Sequence, residues 1–139
     1  MAYAELLEIY KQHLLKCIKY LEYSYEKVKK LPTNIDVLSL DQQATWDSFL
    51  ARFTRTCSIF FAKFLRARIL QADPGFKGTF RDLLNAASKL QIIDDPNLWL
   101  KIRALRNQYA HEYSEQKLNL VYQAILDHAE NLINLKKII

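Results

Sequence analysis

Trp46-Asp-Ser-Phe49-Leu50-Ala-Arg52-Phe53-Thr-Arg55-Thr-Cys57-Ser-Ile-Phe60-Phe61-Ala-Lys63-Phe64-Leu65-Arg66-Ala-Arg68-Ile69 is the most apolar segment of the chain, and its reading decides the fold. Trp46, Phe49, Leu50, Phe53, Cys57, Phe60, Phe61, Phe64, Leu65 and Ile69 recur at the spacing of one helix face. This predicts a long helix, capped by Asp41 and running to about Ala72, at the centre of a helical bundle. Its other face carries Arg52, Arg55, Lys63, Arg66 and Arg68, with no acid between Asp47 and Asp73. Such a cationic stripe either follows a phosphate backbone or is simply a solvated face.

Working outward, residues 4–30 read as a first helix, with Leu6, Leu7, Tyr10, Leu14, Cys17, Ile18, Leu21, Tyr25 and Val28 on its apolar side. Its Tyr20, Tyr23 and Tyr25 suit packing against a neighbour with hydroxyls at the rim better than a base-stacking platform. Leu31-Pro32 stops this helix, because proline lacks a donor and disfavours helix at the residue before it. Asp73-Pro74-Gly75-Phe76-Lys77-Gly78 is a turn. Thr79 and Asp82, at capping-box spacing, open a short helix to about Leu90. Asp94-Asp95-Pro96 starts another, helical from Asn97 onward. Ser114 is expected to cap a last helix from Glu115 to about Lys137. The expected fold is all-α, one domain over residues 1–139, an up-and-down bundle of about five helices.

Composition agrees with that reading. Of 139 residues half are hydrophobic and only two are glycine and three proline, too few breakers for hairpins. The formal charge of +5 favours an anionic partner, nucleic acid ahead of membrane. No apolar run reaches the ~18 residues that span a bilayer, and a cytoplasmic location is expected. Cys17 and Cys57 read as reduced thiols of the core. Neither a metal site nor a cofactor is expected: the three histidines are widely separated and there is no paired-cysteine motif. Gly75 and Gly78 lack the flanking residues of a phosphate-binding loop.

The chemistry concentrates in Leu105-Arg106-Asn107-Gln108-Tyr109-Ala110-His111-Glu112-Tyr113, an arginine, an amide, two tyrosines and a histidine anchored behind Leu98, Trp99, Ile102 and Leu105. His111, with an ordinary pKa of about 6.5, suits proton abstraction from a ribose 2′-hydroxyl. Arg106 suits the non-bridging phosphate oxygens and the charge that develops on them. Asn107 is placed to orient His111 one turn on or to bind phosphate itself. Taken singly these residues have plainer uses: a surface histidine, an arginine paired with an acid such as Glu112, a packing tyrosine. Leu98, Ile102, Leu105 and Tyr109 share the expected apolar face. Arg106 and His111 lie ~140° apart on a straight helix, so one helix alone does not aim both at one phosphate. Either the helix unwinds near His111 or two copies meet about a twofold axis.

Arg106 through Tyr113 reads R-x4-H-x-Y, and with the preceding Gln91-Ile-Ile-Asp-Asp-Pro-Asn-Leu-Trp-Leu100 and the polar stretch from Glu112 to Gln116 it resembles the HEPN superfamily of helical ribonucleases. More narrowly it is similar to the HepT toxins, known in older usage as nucleotidyltransferase substrate-binding proteins. The resemblance covers roughly residues 40 to 125. It implies a homodimer or higher homo-oligomer with Arg106 and His111 catalytic at the subunit interface, supported by Asn107, cleaving RNA without a metal. It further implies a cognate nucleotidyltransferase antitoxin that attaches AMP to Tyr113 and so blocks the RNA site. The alternative left open is a non-catalytic adaptor presenting nucleotide or substrate to that partner, and beyond it a purely structural helical dimer.

Overall fold

A ladder of apolar residues in steps of four, Phe53, Cys57, Phe61, Leu65 and Ile69 beside Thr56, Phe60 and Phe64, runs along the middle of the molecule, every member buried. On a uniform α-helix each step of four drifts ~40° round the axis, so this ladder would wind out of the core. The chain takes the drift back by widening its turns. In the computed structural model, which describes the backbone of residues 2–111 and 115–139 and the side chains of these except 2, 110, 111 and 115–117, residues 40–72 form one continuous rod. It consists of α2 (Leu40–Ser58), a π-helical segment (Ile59–Leu65) and α3 (Arg66–Ala72). Such i→i+5 turns are uncommon and concentrate at functional sites.

The other helices are α1 (Ala2–Val28), α4 (Phe80–Lys89), α5 (Pro96–His111) and α6 (Glu115–Ile133), giving five helical rods and no strand among the described residues. The expected all-α class holds. α1 packs along all three parts of the rod, α6 closes against α1, α2 and α5, and α4 sits between α3 and α5. One apolar cluster draws on every rod: Leu14 and Ile18 of α1, Trp46 and Phe49 of α2, Leu83 and Leu84 of α4, Ile102 of α5, Ile125 and Leu132 of α6. Trp46 anchors it, donating through Nε1 to the Pro32 carbonyl at 3.0 Å and stacking on Tyr122 with centroids 4.9 Å apart.

Helix ends follow local chemistry, with three departures from expectation. The N-cap of α2 is Ser39, not Asp41. Ser39 Oγ accepts from the Gln42 amide while the Gln42 side chain accepts from the Ser39 amide, so two end donors are satisfied reciprocally, which Asp41 inside the first turn does not achieve. α1 ends at Val28, short of residue 30, in the turn that precedes Pro32. The last helix stops at Ile133 and tightens into a 3-10 turn over Asn134–Lys137. Thr79 and Asp82 do form their box, and the Asp95 carboxylate accepts the Asn97 amide at the start of α5. Ser114, the expected cap of α6, lies outside the described residues. α4 closes with Gln91 at φ 61°, its amide bonded to Ser88 and that of Ile92 to Ala87, a left-handed C-terminal lock usually given to glycine.

Candidate functional site

α5 presents to the core Trp99, Ile102 and Leu105, with Tyr109 half-buried beyond them. Leu98, expected on that face, is only partly covered and Trp99 takes its place, because the aromatic surface α5 meets is the π segment: Phe60 and Phe61 lie 5.0 and 6.1 Å from the Trp99 ring, centroid to centroid. At ~100° per residue this turns the buried arc toward Trp99, and Arg106 then falls inside it, between Trp99 and Ile102. Arg106 is therefore half-buried rather than on the open shoulder of the helix.

Its guanidinium is held on two sides. Nη2 donates to Ser58 Oγ at 3.0 Å, at the junction of α2 and the π segment, and Nη1 donates to Asn107 Oδ1 at 3.1 Å. Nε is buried and has no hydrogen-bond acceptor among the described residues. Asn107, expected to serve His111 or a phosphate, uses its carbonyl oxygen on Arg106.

Arg106 opens into a recess of about 260 Å³ between the π segment and α5. Arg66 and Arg103 are its other charged walls, Cys57 and Ser58 lie at its base, and Phe61 and Phe80 form the aromatic side. Arg103 is laid over the Phe80 ring with its Cζ 4.1 Å from the centroid, and Phe80 meets Phe61 edge-on at 5.0 Å. The ion pairs among the described residues are Lys29 with Glu26 and Lys136 with Glu22, so none neutralises these three arginines. Burial pushes the Cys57 thiol well above its ordinary range, and the nearby Arg106 charge offsets this only in part. Cys57 is a neutral wall, not a nucleophile.

The cationic stripe expected along residues 52–68 is divided. Arg52 Nη1 donates to the Tyr20 carbonyl at 3.2 Å and to Ser24 Oγ at 2.7 Å, and its Cζ lies 5.6 and 6.0 Å from the Tyr20 and Tyr23 ring centroids. Arg55 sits near His13 and Cys17 of α1, and Arg68 beside Glu8 and Lys11. The wide turns at 59–65 rotate Arg66 away from Arg52 and Arg55, so that it lines both the recess against α5 and a groove with Tyr3, Leu6 and Tyr10 of α1. Tyr25 lies at the rim as expected, its hydroxyl donating to Glu130 at 2.9 Å.

Of the residues singled out in the motif, the structure places Arg106 and Asn107 together. α5 ends at His111, whose side chain lies outside the described residues, as does Tyr113. Arg66, Arg103 and Ser58 were missed by reading the sequence. Arg103 is one turn before Arg106, a usable signal, whereas Ser58 and Arg66 reach the same recess only through the widened turns. Among the described residues no three His, Cys, Asp or Glu side chains are grouped to hold a metal, and no helix is long and apolar enough to cross a membrane.

Fold and site together define a helical protein with an arginine-walled recess against its central rod. The family model described as nucleotidyltransferase substrate binding protein like matches residues 12–138, and the chain belongs to that family. The match includes most of α1, which the motif and its context left out. No curated protein and no solved structure is significantly similar to the chain.

Proposed function

We propose that this chain is the toxin of a toxin–antitoxin pair, a metal-independent endoribonuclease that acts as a homodimer or higher homo-oligomer of up-and-down bundles, with Arg106 and His111 meeting at the subunit interface. His111 takes the proton of a ribose 2′-hydroxyl, the 2′ oxygen bonds to phosphorus, the bond to the 5′ oxygen breaks, and that oxygen takes up a proton from water. The products are a 2′,3′-cyclic phosphate and a 5′-hydroxyl. Arg106 holds the non-bridging oxygens as charge builds on them, and Asn107 supports it. A partner nucleotidyltransferase, the antitoxin, silences the site by attaching AMP to Tyr113.

The observation that supports this reading best is the state of Arg106: fixed by Ser58 and Asn107, next to no carboxylate among the described residues, with a buried Nε still lacking an acceptor. An arginine serving stability alone would be expected to spend its donors on the protein. Family membership supports the association with a nucleotidyltransferase.

The test is incubation of the purified chain, freed of any partner, with RNA in EDTA. The expected result is cleavage that falls by about a hundredfold or more in His111→Ala, and cleavage indifferent to that change sinks the proposal. A second reading, a non-catalytic adaptor that presents nucleotide or substrate to the nucleotidyltransferase, is favoured by the family's description as nucleotidyltransferase substrate binding protein like. It requires binding of nucleotide or partner with no cleavage of any RNA. Intact-mass measurement after co-expression with the partner reads the modification directly: added AMP units are expected on the native chain and absent from Tyr113→Phe.

A further inference from the structure

We infer that Arg66 and Arg103, neither of them part of R-x4-H-x-Y, join Arg106 in a phosphate-binding pocket that is complete within one subunit. The pocket takes the phosphate group of a nucleotide or of a nucleic-acid strand. It shares Arg106 with the proposed function, and rests on that reading for nothing else, since binding requires no cleavage.

Three arginines line one recess, and no carboxylate among the described residues is paired with any of them. Like charges gathered this way repel one another until an anion joins them. Two of the three are already held in place. Arg106 is tied to Ser58, and Arg103 is spread over Phe80, which Phe61 meets edge-on. Less side-chain freedom is then lost when a ligand arrives.

Ser58 Oγ accepts from Arg106 and has its own hydrogen to donate to a ligand, and the buried Arg106 Nε has no acceptor among the described residues. Forked guanidinium donors match the several oxygens of a phosphate, and a triple positive charge is more than a carboxylate ligand needs. The volume, about 260 Å³, lies below the range of roughly 300–1,000 Å³ that encloses a drug-sized molecule. A phosphate with part of its sugar fits, and the base remains outside.

Calorimetric titration of the full chain at low salt, with AMP, adenosine and a 2′-O-methyl trinucleotide that cannot be cleaved, tests this. Arg66 and Arg103 are exposed, so Arg66→Gln with Arg103→Gln alters the pocket and not the core. Lys63→Gln with Arg68→Gln removes the same charge from the same rod outside the pocket. The expected result is binding of a phosphate-bearing probe but not of adenosine, weakened about tenfold or more by the pocket pair and less than about threefold by the control pair. AMP binding identifies a free nucleotide as the source of the phosphate, and binding of the trinucleotide alone identifies a strand. Equal losses in the two pairs, adenosine binding as tightly as AMP, or no binding of either phosphate probe at millimolar concentration each overturn the inference. Cleavage is assayed on the same preparations, so a chain that binds phosphate without cutting RNA separates this pocket from the nuclease reading.

Discussion

Two arginines attached to the same rod system have opposite fates. Arg52, on the half before the π segment, gives Nη1 to a carbonyl and a hydroxyl of α1 and lies against two tyrosine rings. Arg106, reaching the start of the widened half from α5, is fixed just as firmly yet keeps a buried nitrogen unused. Before the π segment Arg52 joins two helices, although the buried Thr54 hydroxyl there also lacks a partner. Beside the π segment Arg106 keeps an unused nitrogen next to two further arginines, and this contrast, rather than the number of positive charges, is what the proposed site rests on.

The largest expected effect tests that division directly. Arg106→Ala lowers RNA cleavage per folded molecule by about a hundredfold or more, while loss of its bonds to Ser58 and Asn107 costs about 1–2 kcal/mol of stability. Arg52→Ala leaves cleavage per folded molecule intact and costs about 1–2 kcal/mol of stability, the worth of hydrogen bonds to a charged group discounted for partial exposure. Paired denaturant melts and cleavage assays read both, and an Arg52 variant that loses activity without losing stability breaks the comparison.

A smaller effect sharpens the account of the first half. Ser39→Ala is expected to cost about 1 kcal/mol by removing the reciprocal cap of α2, whereas Asp41→Ala changes stability by less than about half of that. Urea titration distinguishes them, and equal losses would return the cap to Asp41.

The mildest is a pH dependence located in the same half. Tyr25, against Phe49, and Tyr122, stacked on Trp46, both have their hydroxyl pKa pushed up to about 12, chiefly by burial, with the Glu130 carboxylate adding at Tyr25 and the Tyr109 and Asp47 groups at Tyr122. The folded state then keeps these protons where an unfolded tyrosine, with a pKa near 10, has released them. Their contribution to stability is therefore flat below about pH 10 and falls as pH rises from there toward 12. Tyr25→Phe makes that fall shallower in melts followed across the window, and an unchanged slope rejects the assignment.

Much of this architecture was legible in the chain. Leu31-Pro32 and Asp73-Pro74-Gly75 punctuate it where proline and glycine must, and helical periodicity supplied the rods between. The cap at Ser39 escaped because Asp41 stood nearer the apolar run, and a reciprocal pair is recognised only when Gln42 is read with Ser39. The widened turns escaped for a deeper reason: steps of three and four both count as helical, and only the unbroken series of fours from Phe53 to Ile69 carries the signal. The orientation of Arg106 followed from that error, since the aromatic surface facing α5 decides which arc of α5 is covered. Arg106 and Asn107 could be singled out as candidates from residue type alone. Arg66 was not, because eight residues separate it from Ser58 and their meeting depends on a helix that does not keep its pitch.

The π segment also makes the chain unusually sensitive to pitch in the middle of a helix. Substitutions that let residues 59–65 relax to ordinary turns without changing their number would swing everything after them by ~100°, carrying Arg66 out of the recess while leaving every one of the three arginines in the sequence. Descendants with such changes would keep the charge and the motif, and would have lost the alignment among them.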